Sequence, residues 1–228
     1  MSTSSLSVGL CGVGTVGLAT VHILRDQSAM LAARCGQTVS ITHVGARREV
    51  PHPDYATARI SRDVMDVARD PDVDVLVELI GGTTVARDLI KLAIEQGKHV
   101  VTANKALIAE HGNELILLAE QAGVQLRFEA AVAGGIPVIK TLREAMAANA
   151  VSEVAGIING TGNFILTEMS TKGRSYEDVL AEAQALGYAE ADPTFDVDGT
   201  DAAHKLVILA SLAFGLPLDA EAPVKQGI

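Results

Sequence analysis

With 228 residues, 48% of them hydrophobic and 20% charged, the chain can form one large domain or two small ones with a substantial core. Its net charge of −10 argues against a nucleic-acid partner, because binding a phosphate backbone needs a basic surface. Cys11 and Cys35 are too few for a disulfide framework and lack metal-ligand spacing. No apolar run could span a membrane and the start, MSTSSLS, lacks the features of a signal peptide, so we expect a cytoplasmic protein without a membrane partner.

A glycine-rich turn follows the first apolar segment. Leu6 to Cys11 is predicted to be a strand, and a helical pattern runs from Val16 to about Leu31. Between them the sequence is Gly12-Val13-Gly14-Thr15-Val16-Gly17, which is G-x-G-x-x-G in a strand–turn–helix context. Glycines there allow a tight turn, close approach of a pyrophosphate and helix–strand packing, and the helix N-terminus attracts phosphates. We predict that residues 12–17 bind a dinucleotide cofactor; a glycine turn that binds nothing is the alternative.

The end of the second predicted strand indicates which dinucleotide is preferred. That strand runs from Val39 to Ala46 and is followed by Arg47 and Arg48, whereas the first acid, Glu49, comes only afterwards. An acid at the strand end would bind the ribose hydroxyl of NAD, while arginines suit a ribose phosphate. We therefore expect Ala46, Arg47 and Arg48 to contact the cofactor and NADP(H) to be preferred over NAD(H). The alternative is two solvated surface arginines.

Strand and helix patterns alternate up to about residue 130. Further strands are predicted at Val73 to Ile80, His99 to Thr102 and Val124 to Glu129. Helices are predicted from Ser61 to Arg69, up to Gln96 and up to about Ala122, and residues 49–60 are predicted to be a loop. This alternation is typical of an α/β fold with a Rossmann-like doubly wound parallel sheet. Ligands bind beyond the carboxyl ends of such strands, where we expect Gly82, Thr83 and Lys105 to meet the cofactor.

Beyond residue 130 the regular alternation stops, so we place a domain boundary there: residues 1–130 form the cofactor-binding domain and 131–228 a second domain. In the second domain we predict a helix from Pro137 to Ala148 and a strand from Val151 to Ile158. Another helix opens at Asn159 to Asn163. Ser175, with Asp178 three residues later, resembles the cap of a helix that ends near Leu186.

An acid-rich stretch, GYAEADPTFDVDGTDAAHK, occupies Gly187 to Lys205 and leads into a helix that is apolar on nearly all sides. Such a helix is normally buried. Asp201 and Lys205 lie one turn apart on it and so share a face. A lysine that enters a core beside a carboxylate is a candidate proton donor. An ordinary salt bridge on a wet first turn is the alternative.

The same stretch, from Ala183 to Lys205, resembles the signature A-x-x-x-G-Y-A-E-x-D-P-x-x-D-x-x-G-x-D-x-x-x-K of homoserine dehydrogenases. Further matching blocks are Gly9 to Gly17, Thr102 to Ala109, Glu129 to Pro137 and Asn159 to Leu166. The resemblance implies interconversion of aspartate 4-semialdehyde and homoserine with NAD(P)H, on the pathway to threonine, methionine and isoleucine.

The resemblance also implies roles for individual residues. Lys205 would be the proton donor, with Asp201 beside it, and Lys105 would sit at the nicotinamide and the substrate. Glu190 would hold the substrate's amino group, and the same pocket would be lined by Thr161, Tyr188, Asp196 and Asp201. A monovalent-cation site, usually for sodium, would be formed by Glu129, Val132, Gly134 and Ile136.

Members of that family continue past the point that corresponds to residue 228. The resemblance therefore implies an α+β substrate and dimerisation domain that is incomplete here, and a homodimer once the fold is completed. Two other functions stay open: a cofactor-binding fragment without turnover, and another amino-acid dehydrogenase on the same architecture, such as one that acts on aspartate.

Overall fold

A computed structural model of the chain describes residues 5–48, 55 and 57–228. Glu49 and most of the predicted loop 49–60 lie outside the described residues. The chain divides into two compact units, Met1–Ala131 and Val132–Ile228. This division lies next to the boundary expected at residue 130, while the separate cofactor and substrate roles of the two domains stay predictions. No helix among the described residues is long and apolar enough to cross a membrane.

The first unit contains a parallel sheet, which the described residues build from six strands in the order β3-β2-β1-β4-β5-β6. The strands are β1 Ser5–Cys11, β2 Thr38–Gly45, β3 Arg59–Ser61, β4 Val75–Glu78, β5 His99–Thr102 and β6 Leu126–Arg127. This is the strand order of a Rossmann-like doubly wound sheet, in which ligands bind where the order reverses, beside β1. The predicted α/β fold is confirmed.

Helices α1 Thr15–Asp26, α2 Ser28–Cys35, α3 Val64–Arg69, α4 Thr84–Glu95 and α5 Lys105–Ala122 accompany the sheet. The single helix predicted to reach Leu31 is wrong, because the backbone of Gln27 leaves the helical region at φ −107° and ψ 14°. Strand β3 was not predicted from the sequence. Its three residues become a strand only through pairing with β2, with Arg59 opposite His43 and Ser61 opposite Gly45.

A buried polar cluster lies on the β2 side of this sheet. His43 Nδ1 is 2.7 Å from Asp70 Oδ2, and its Nε2 is 2.8 Å from Ser61 Oγ. Arg59 donates to the same Asp70 oxygen at 3.0 Å. Burial by itself would raise the pKa of the Asp70 carboxyl. The Asp72 N–H, His43 and Arg59 outweigh that effect and hold the pKa below its ordinary value.

The second unit is helical, with α6 Val138–Lys140, a π-helical turn Thr141–Ala145, α7 Gly160–Lys172, α8 Tyr176–Ala185, α9 Thr194–Val197 and α10 Thr200–Phe214. Ser175 Oγ caps α8 by accepting from Asp178 N at 3.2 Å, as predicted. The strand predicted at Val151 to Ile158 is wrong, since that segment has no regular secondary structure. A strand needs a hydrogen-bonding neighbour, and residues 132–228 contain no other strand. The predicted helix Pro137 to Ala148 is shorter and irregular.

Candidate functional site

The predicted cofactor turn lies between β1 and α1. Gly12 has a positive φ of 99°, and a Cβ there would lie 2.6 Å from the Leu79 carbonyl oxygen. A Cβ on Gly17 would lie 2.1 Å from the Gly12 carbonyl oxygen, whereas one on Gly14 would meet nothing within 4 Å. The outer two glycines are therefore required by packing. Gly14 leaves open space in front of the turn, as a ligand that approaches the backbone would need.

The first turn of α1 has the chemistry of an anion site. Gly14 precedes the helix without a side-chain cap, and the first turn contains no acidic residue. Thr15 and Val16 are exposed there, whereas Val13 and Gly17 are buried. The amide groups of such a turn keep their donors for a ligand, and the helix dipole favours a negative charge. The residues present fit a pyrophosphate.

Arg47 and Arg48 lie at the same edge of the sheet. Both are exposed and follow Ala46, which is buried. The Gly12 N–H donates to the Gly45 carbonyl oxygen at 2.9 Å, so the end of β2 is bonded directly to the glycine turn. The two guanidinium groups therefore belong to the β1–β2 side of the carboxyl edge, where the ribose next to the adenine binds in this fold.

On the β4–β5 side, the edge contains a buried acid, Glu78, that was not predicted from the sequence. Glu78 ends β4 and is completely buried. Its Oε1 accepts from the N–H groups of Ile80 at 2.8 Å and Gly81 at 3.1 Å, and its Oε2 accepts from Thr102 Oγ1 at 2.6 Å. A glutamate between Val77 and Leu79, in the mostly apolar strand VDVLVELI, was the available signal, since an acid is almost never fully buried without partners.

Lys105 opens α5 at this edge. Asn104 caps the helix by accepting from Leu107 N at 3.1 Å, and its amide donates to the Gly82 carbonyl oxygen at 2.7 Å. Gly82 is exposed and Thr83 precedes α4. The structure thus brings the predicted cofactor residues Gly82, Thr83 and Lys105 to one edge of one unit.

The second unit contains a cavity of about 560 Å³. It is lined by Asn159, Gly160, Thr161, Asn163, Phe164, Thr167, Glu168, Tyr188, Asp196, Asp201 and Lys205. Five predicted residues, Thr161, Tyr188, Asp196, Asp201 and Lys205, are among them although they are spread over three helices and a loop. Glu190 is exposed and does not belong to this lining, so its contact with substrate stays a prediction.

Lys205 is held in place from two sides. Its Nζ donates to Asp201 Oδ2 at 2.6 Å and to the Ile158 carbonyl oxygen at 2.6 Å. The Lys205 side chain is 18% exposed and that of Asp201 5%, so this is not the wet surface pair considered as the alternative. An ammonium has three N–H donors, and two are engaged here. The cavity therefore contains a fixed cation with a donor available for a ligand oxygen.

Asn159 joins the acids of this cavity and was missed as a site residue. Its Nδ2 donates to Asp196 Oδ1 and to Asp201 Oδ2, both at 2.8 Å. Its Oδ1 accepts from Gly162 N at 2.6 Å and so caps α7. One amide thus bridges two carboxylates that would otherwise repel each other.

Thr161 and Tyr188 form another part of the cavity lining. Thr161 Oγ1 donates to the Tyr188 carbonyl oxygen at 2.7 Å, and the rings of Phe164 and Tyr188 make an edge contact with centroids 5.3 Å apart. These contacts connect α7 to the loop after α8. That loop carries the start of the acid-rich stretch to the same cavity.

The residues expected to bind a monovalent cation differ in exposure. Val132 is buried, and Gly134 and Ile136 are exposed. The Ile136 carbonyl oxygen accepts from Val138 N at 2.8 Å, which leaves its second lone pair for a cation. Glu129 belongs to the other unit. No cluster of three or more His, Cys, Asp or Glu side chains suited to a metal exists among the described residues. A site of backbone carbonyls therefore stays a prediction.

Comparison with known proteins identifies two family models in this chain. Residues 12–129 match the NAD-binding domain of homoserine dehydrogenase, and residues 137–228 match the homoserine dehydrogenase model itself. The chain is 58% identical over 223 residues to a homoserine dehydrogenase of Pseudomonas aeruginosa, covering 98% of this chain and 51% of that protein. A second relative, the homoserine dehydrogenase of Neisseria gonorrhoeae, is 50% identical with similar coverage. The chain spans about half the length of these relatives.

Solved structures of homoserine dehydrogenases are similar to this chain as well. A homoserine dehydrogenase from Thiobacillus denitrificans superposes with a TM-score of 0.92 at 49% identity, over 99% of this chain and 53% of that one. A hyperthermophilic archaeal homoserine dehydrogenase in complex with NADPH superposes with a TM-score of 0.82 at 27% identity, over 94% of this chain and 71% of that one.

Proposed function

This chain belongs to the homoserine dehydrogenase family, and on that premise we propose that it carries the catalytic region that interconverts L-aspartate 4-semialdehyde and L-homoserine. In the biosynthetic direction the aldehyde would be reduced, on the route to threonine, methionine and isoleucine. The observation that carries this proposal is the Lys205 ammonium, held 2.6 Å from both Asp201 and the Ile158 carbonyl in a polar cavity.

Reduction of an aldehyde needs a hydride and a proton, and the bound nicotinamide cofactor would supply the hydride. The third N–H of Lys205 would donate to the carbonyl oxygen and then pass its proton to the developing alkoxide. Asp201 and the Ile158 carbonyl would keep the ammonium aimed at that oxygen. Lys105 would act at the nicotinamide and substrate from the start of α5.

The acids of the cavity suit an amino-acid substrate. Asp196 uses one carboxylate oxygen for Asn159, and Thr161 and Tyr188 are bonded to each other. We assign the substrate's ammonium group to this acidic side, with Glu190 as the residue implied by family resemblance. A zwitterionic substrate explains why several carboxylates occur beside a single lysine in one cavity.

For the cofactor we propose NADP(H) in preference to NAD(H). The NAD-binding family model covers the glycine turn, and the support for the phosphorylated form is the exposed pair Arg47 and Arg48 beside that turn. The archaeal relative was solved with NADPH. A sodium ion bound by Glu129, Val132, Gly134 and Ile136, the homodimer and the cytoplasmic location stay predictions from the sequence.

The decisive experiment is NADP-dependent oxidation of L-homoserine by the 228-residue chain, followed at the NADPH absorbance and repeated with Lys205→Ala. We expect turnover to fall about 10²–10⁴-fold in the variant, the usual contribution of a general acid, with NADPH affinity unchanged. Lys225→Ala, an exposed lysine of the same unit, is the control.

If Lys205→Ala keeps normal turnover, the proton donor must be reassigned to Lys105. If the parent chain binds NADPH but oxidises no homoserine, the cofactor-binding function without turnover is favoured for this length of chain. Oxidation of aspartate in place of homoserine, in a panel of amino-acid substrates, would favour the third function.

A further inference from the structure

Glu78 is a buried acid that the proposed chemistry does not use. It lies in the middle of the sheet, where β4 pairs Glu78 with Cys11 of β1 and with Thr102 of β5. Its side chain has no exposed surface. Taking a carboxylate out of water is costly unless its oxygens are bonded, so a residue of this kind indicates a specific arrangement of partners.

All of the partners of Glu78 lie at the carboxyl edge. The N–H groups of Ile80 and Gly81 donate to one oxygen, and the Thr102 hydroxyl donates to the other. No cation forms a salt bridge with it in the part of the chain that the structure describes. Gly81 and Gly82 both have a φ of 72°, so the carboxylate holds a backbone conformation that few other residues would adopt.

The same bonds continue to the start of α5. Thr102 Oγ1 accepts from the Asn104 N–H at 3.0 Å, and the Asn104 amide donates to the Gly82 carbonyl oxygen at 2.7 Å. The chain of bonds therefore closes on itself, from Glu78 through Thr102 and Asn104 to the loop of residues 80–82 and back. Any movement of Glu78 would shift that loop and the helix start that carries Lys105 together.

We propose that Glu78 is a positioning residue for the nicotinamide half of the cofactor site, and this rests on the proposed cofactor function. In a sheet of this strand order the β1–β2 half binds one mononucleotide and the β4–β5 half the other. The glycine turn and the arginines lie on the β1–β2 side. The hydrogen bonds of Glu78 go to Ile80, Gly81 and Thr102, on the β4–β5 side.

The hydrogen bonds also favour an acid at this position. The Glu78 oxygens accept from three donors and donate to none. A glutamine of the same size could keep the two backbone N–H bonds through its carbonyl oxygen, but its NH₂ group would then face Thr102 Oγ1. The Thr102 hydroxyl would lose the acceptor of its own proton, so the link from residue 78 to Thr102 and Asn104 would weaken.

The test compares Glu78→Gln with the parent chain in two binding titrations, one with NADPH and one with 2′,5′-ADP. The second ligand carries the adenosine phosphates without the nicotinamide. We expect NADPH to bind about tenfold more weakly, the effect of one lost hydrogen bond to a charged group, with 2′,5′-ADP unchanged. Glu114→Gln is the control, since Glu114 lies in the same unit and, among the described residues, its carboxylate bonds only Arg87 and Lys91.

Thr102→Val and Thr102→Ser provide a second route if Glu78→Gln does not fold. The valine variant should bind NADPH more weakly and 2′,5′-ADP normally. The serine variant keeps the hydroxyl and should bind NADPH with the parent affinity. If both ligands bind more weakly by the same factor, or if the NADPH affinity is unchanged, the positioning role is overturned while the cofactor proposal stands. A parent chain that binds neither ligand would reject both.

Discussion

The two candidate sites of this protein are built in different ways. The cofactor edge of the first unit is formed by backbone: glycines without side chains, an uncapped helix start, and a loop whose N–H groups hold Glu78. The cavity of the second unit is formed by side chains, with Asn159, Asp196, Asp201 and Lys205 bonded to one another. The cofactor edge should therefore lose function when side-chain atoms are added to it. The cavity should lose function when its functional groups are removed or their charge is changed.

At the cofactor edge the largest effect should come from Gly17→Ala, since the new Cβ would lie 2.1 Å from the Gly12 carbonyl oxygen and something must move. Overpacking of this kind costs about 1–3 kcal/mol and would displace the turn, so we expect a lower Tm and about 100-fold weaker NADPH binding. Calorimetry and a fluorescence titration would measure both.

Gly14→Ala is the matched variant, because its Cβ would meet no protein atom within 4 Å. It should keep the parent Tm and lose NADPH affinity only. A Gly17→Ala protein with normal binding would contradict the idea that backbone proximity creates the cofactor edge.

In the second unit, Asn159→Asp tests the dependence on side chains. Aspartate keeps the cap of α7, but it cannot donate to Asp196 and Asp201 and places a third carboxylate beside them. We expect a loss of about 1–3 kcal/mol in unfolding free energy at neutral pH, measured by denaturant titration, and partial recovery toward about pH 4 as carboxylates become protonated.

Asn159→Ser separates the two causes, since serine caps the helix and adds no charge. It should be less destabilised than Asn159→Asp at neutral pH and recover less in acid, because only the repulsion between Asp196 and Asp201 is then uncovered. Equal behaviour of the two variants would mean that the added third carboxylate makes no contribution.

The two exposed arginines on the β1–β2 side of the cofactor edge sharpen the comparison further. Arg47→Ala and Arg48→Ala should each raise the KM for NADPH about tenfold, because each removes a charge-assisted bond to the ribose phosphate, and leave the KM for NADH unchanged. Where turnover is absent, the dissociation constants for NADPH and NADH answer the same question. Arg34→Ala removes an exposed arginine of α2 and should change neither the KM for NADPH nor that for NADH.

If Arg47→Ala and Arg48→Ala weaken the binding of both cofactors equally, the two arginines are solvated surface residues.

Asp70 should contribute to the pH dependence of stability. The native pKa of Asp70 lies below its ordinary value, so its stabilising contribution is complete above the unfolded pKa and is lost as pH falls through the native pKa. Asp70→Asn should cost about 1–3 kcal/mol at neutral pH and flatten the acid side of the stability curve, measured by Tm below about pH 4. Asp72→Asn, an exposed neighbour, should follow the parent.

Local sequence patterns predicted the elements in which the apolar periodicity and the stop signals agree. The bounds of β5, His99–Thr102, and the end of α5 at Ala122 agree with the apolar pattern and its stop signals. The misses depend on partners that are remote in the sequence. β3 exists because β2 lies beside it, and the segment 151–158 is not a strand because nothing in its unit pairs with it.

By itself, the amino-acid sequence determined the parallel α/β fold, the glycine turn and the family, since each depends on residue types at short, fixed spacings. Family resemblance also predicted five residues that line the cavity of the second unit, Thr161, Tyr188, Asp196, Asp201 and Lys205. Only the tertiary structure decided that Asn159 bridges two acids more than 35 positions away, and that Glu78 holds a loop and a helix start together. Hydrogen bonds of this kind join groups that are neighbours in space alone, and no periodicity along the chain records them.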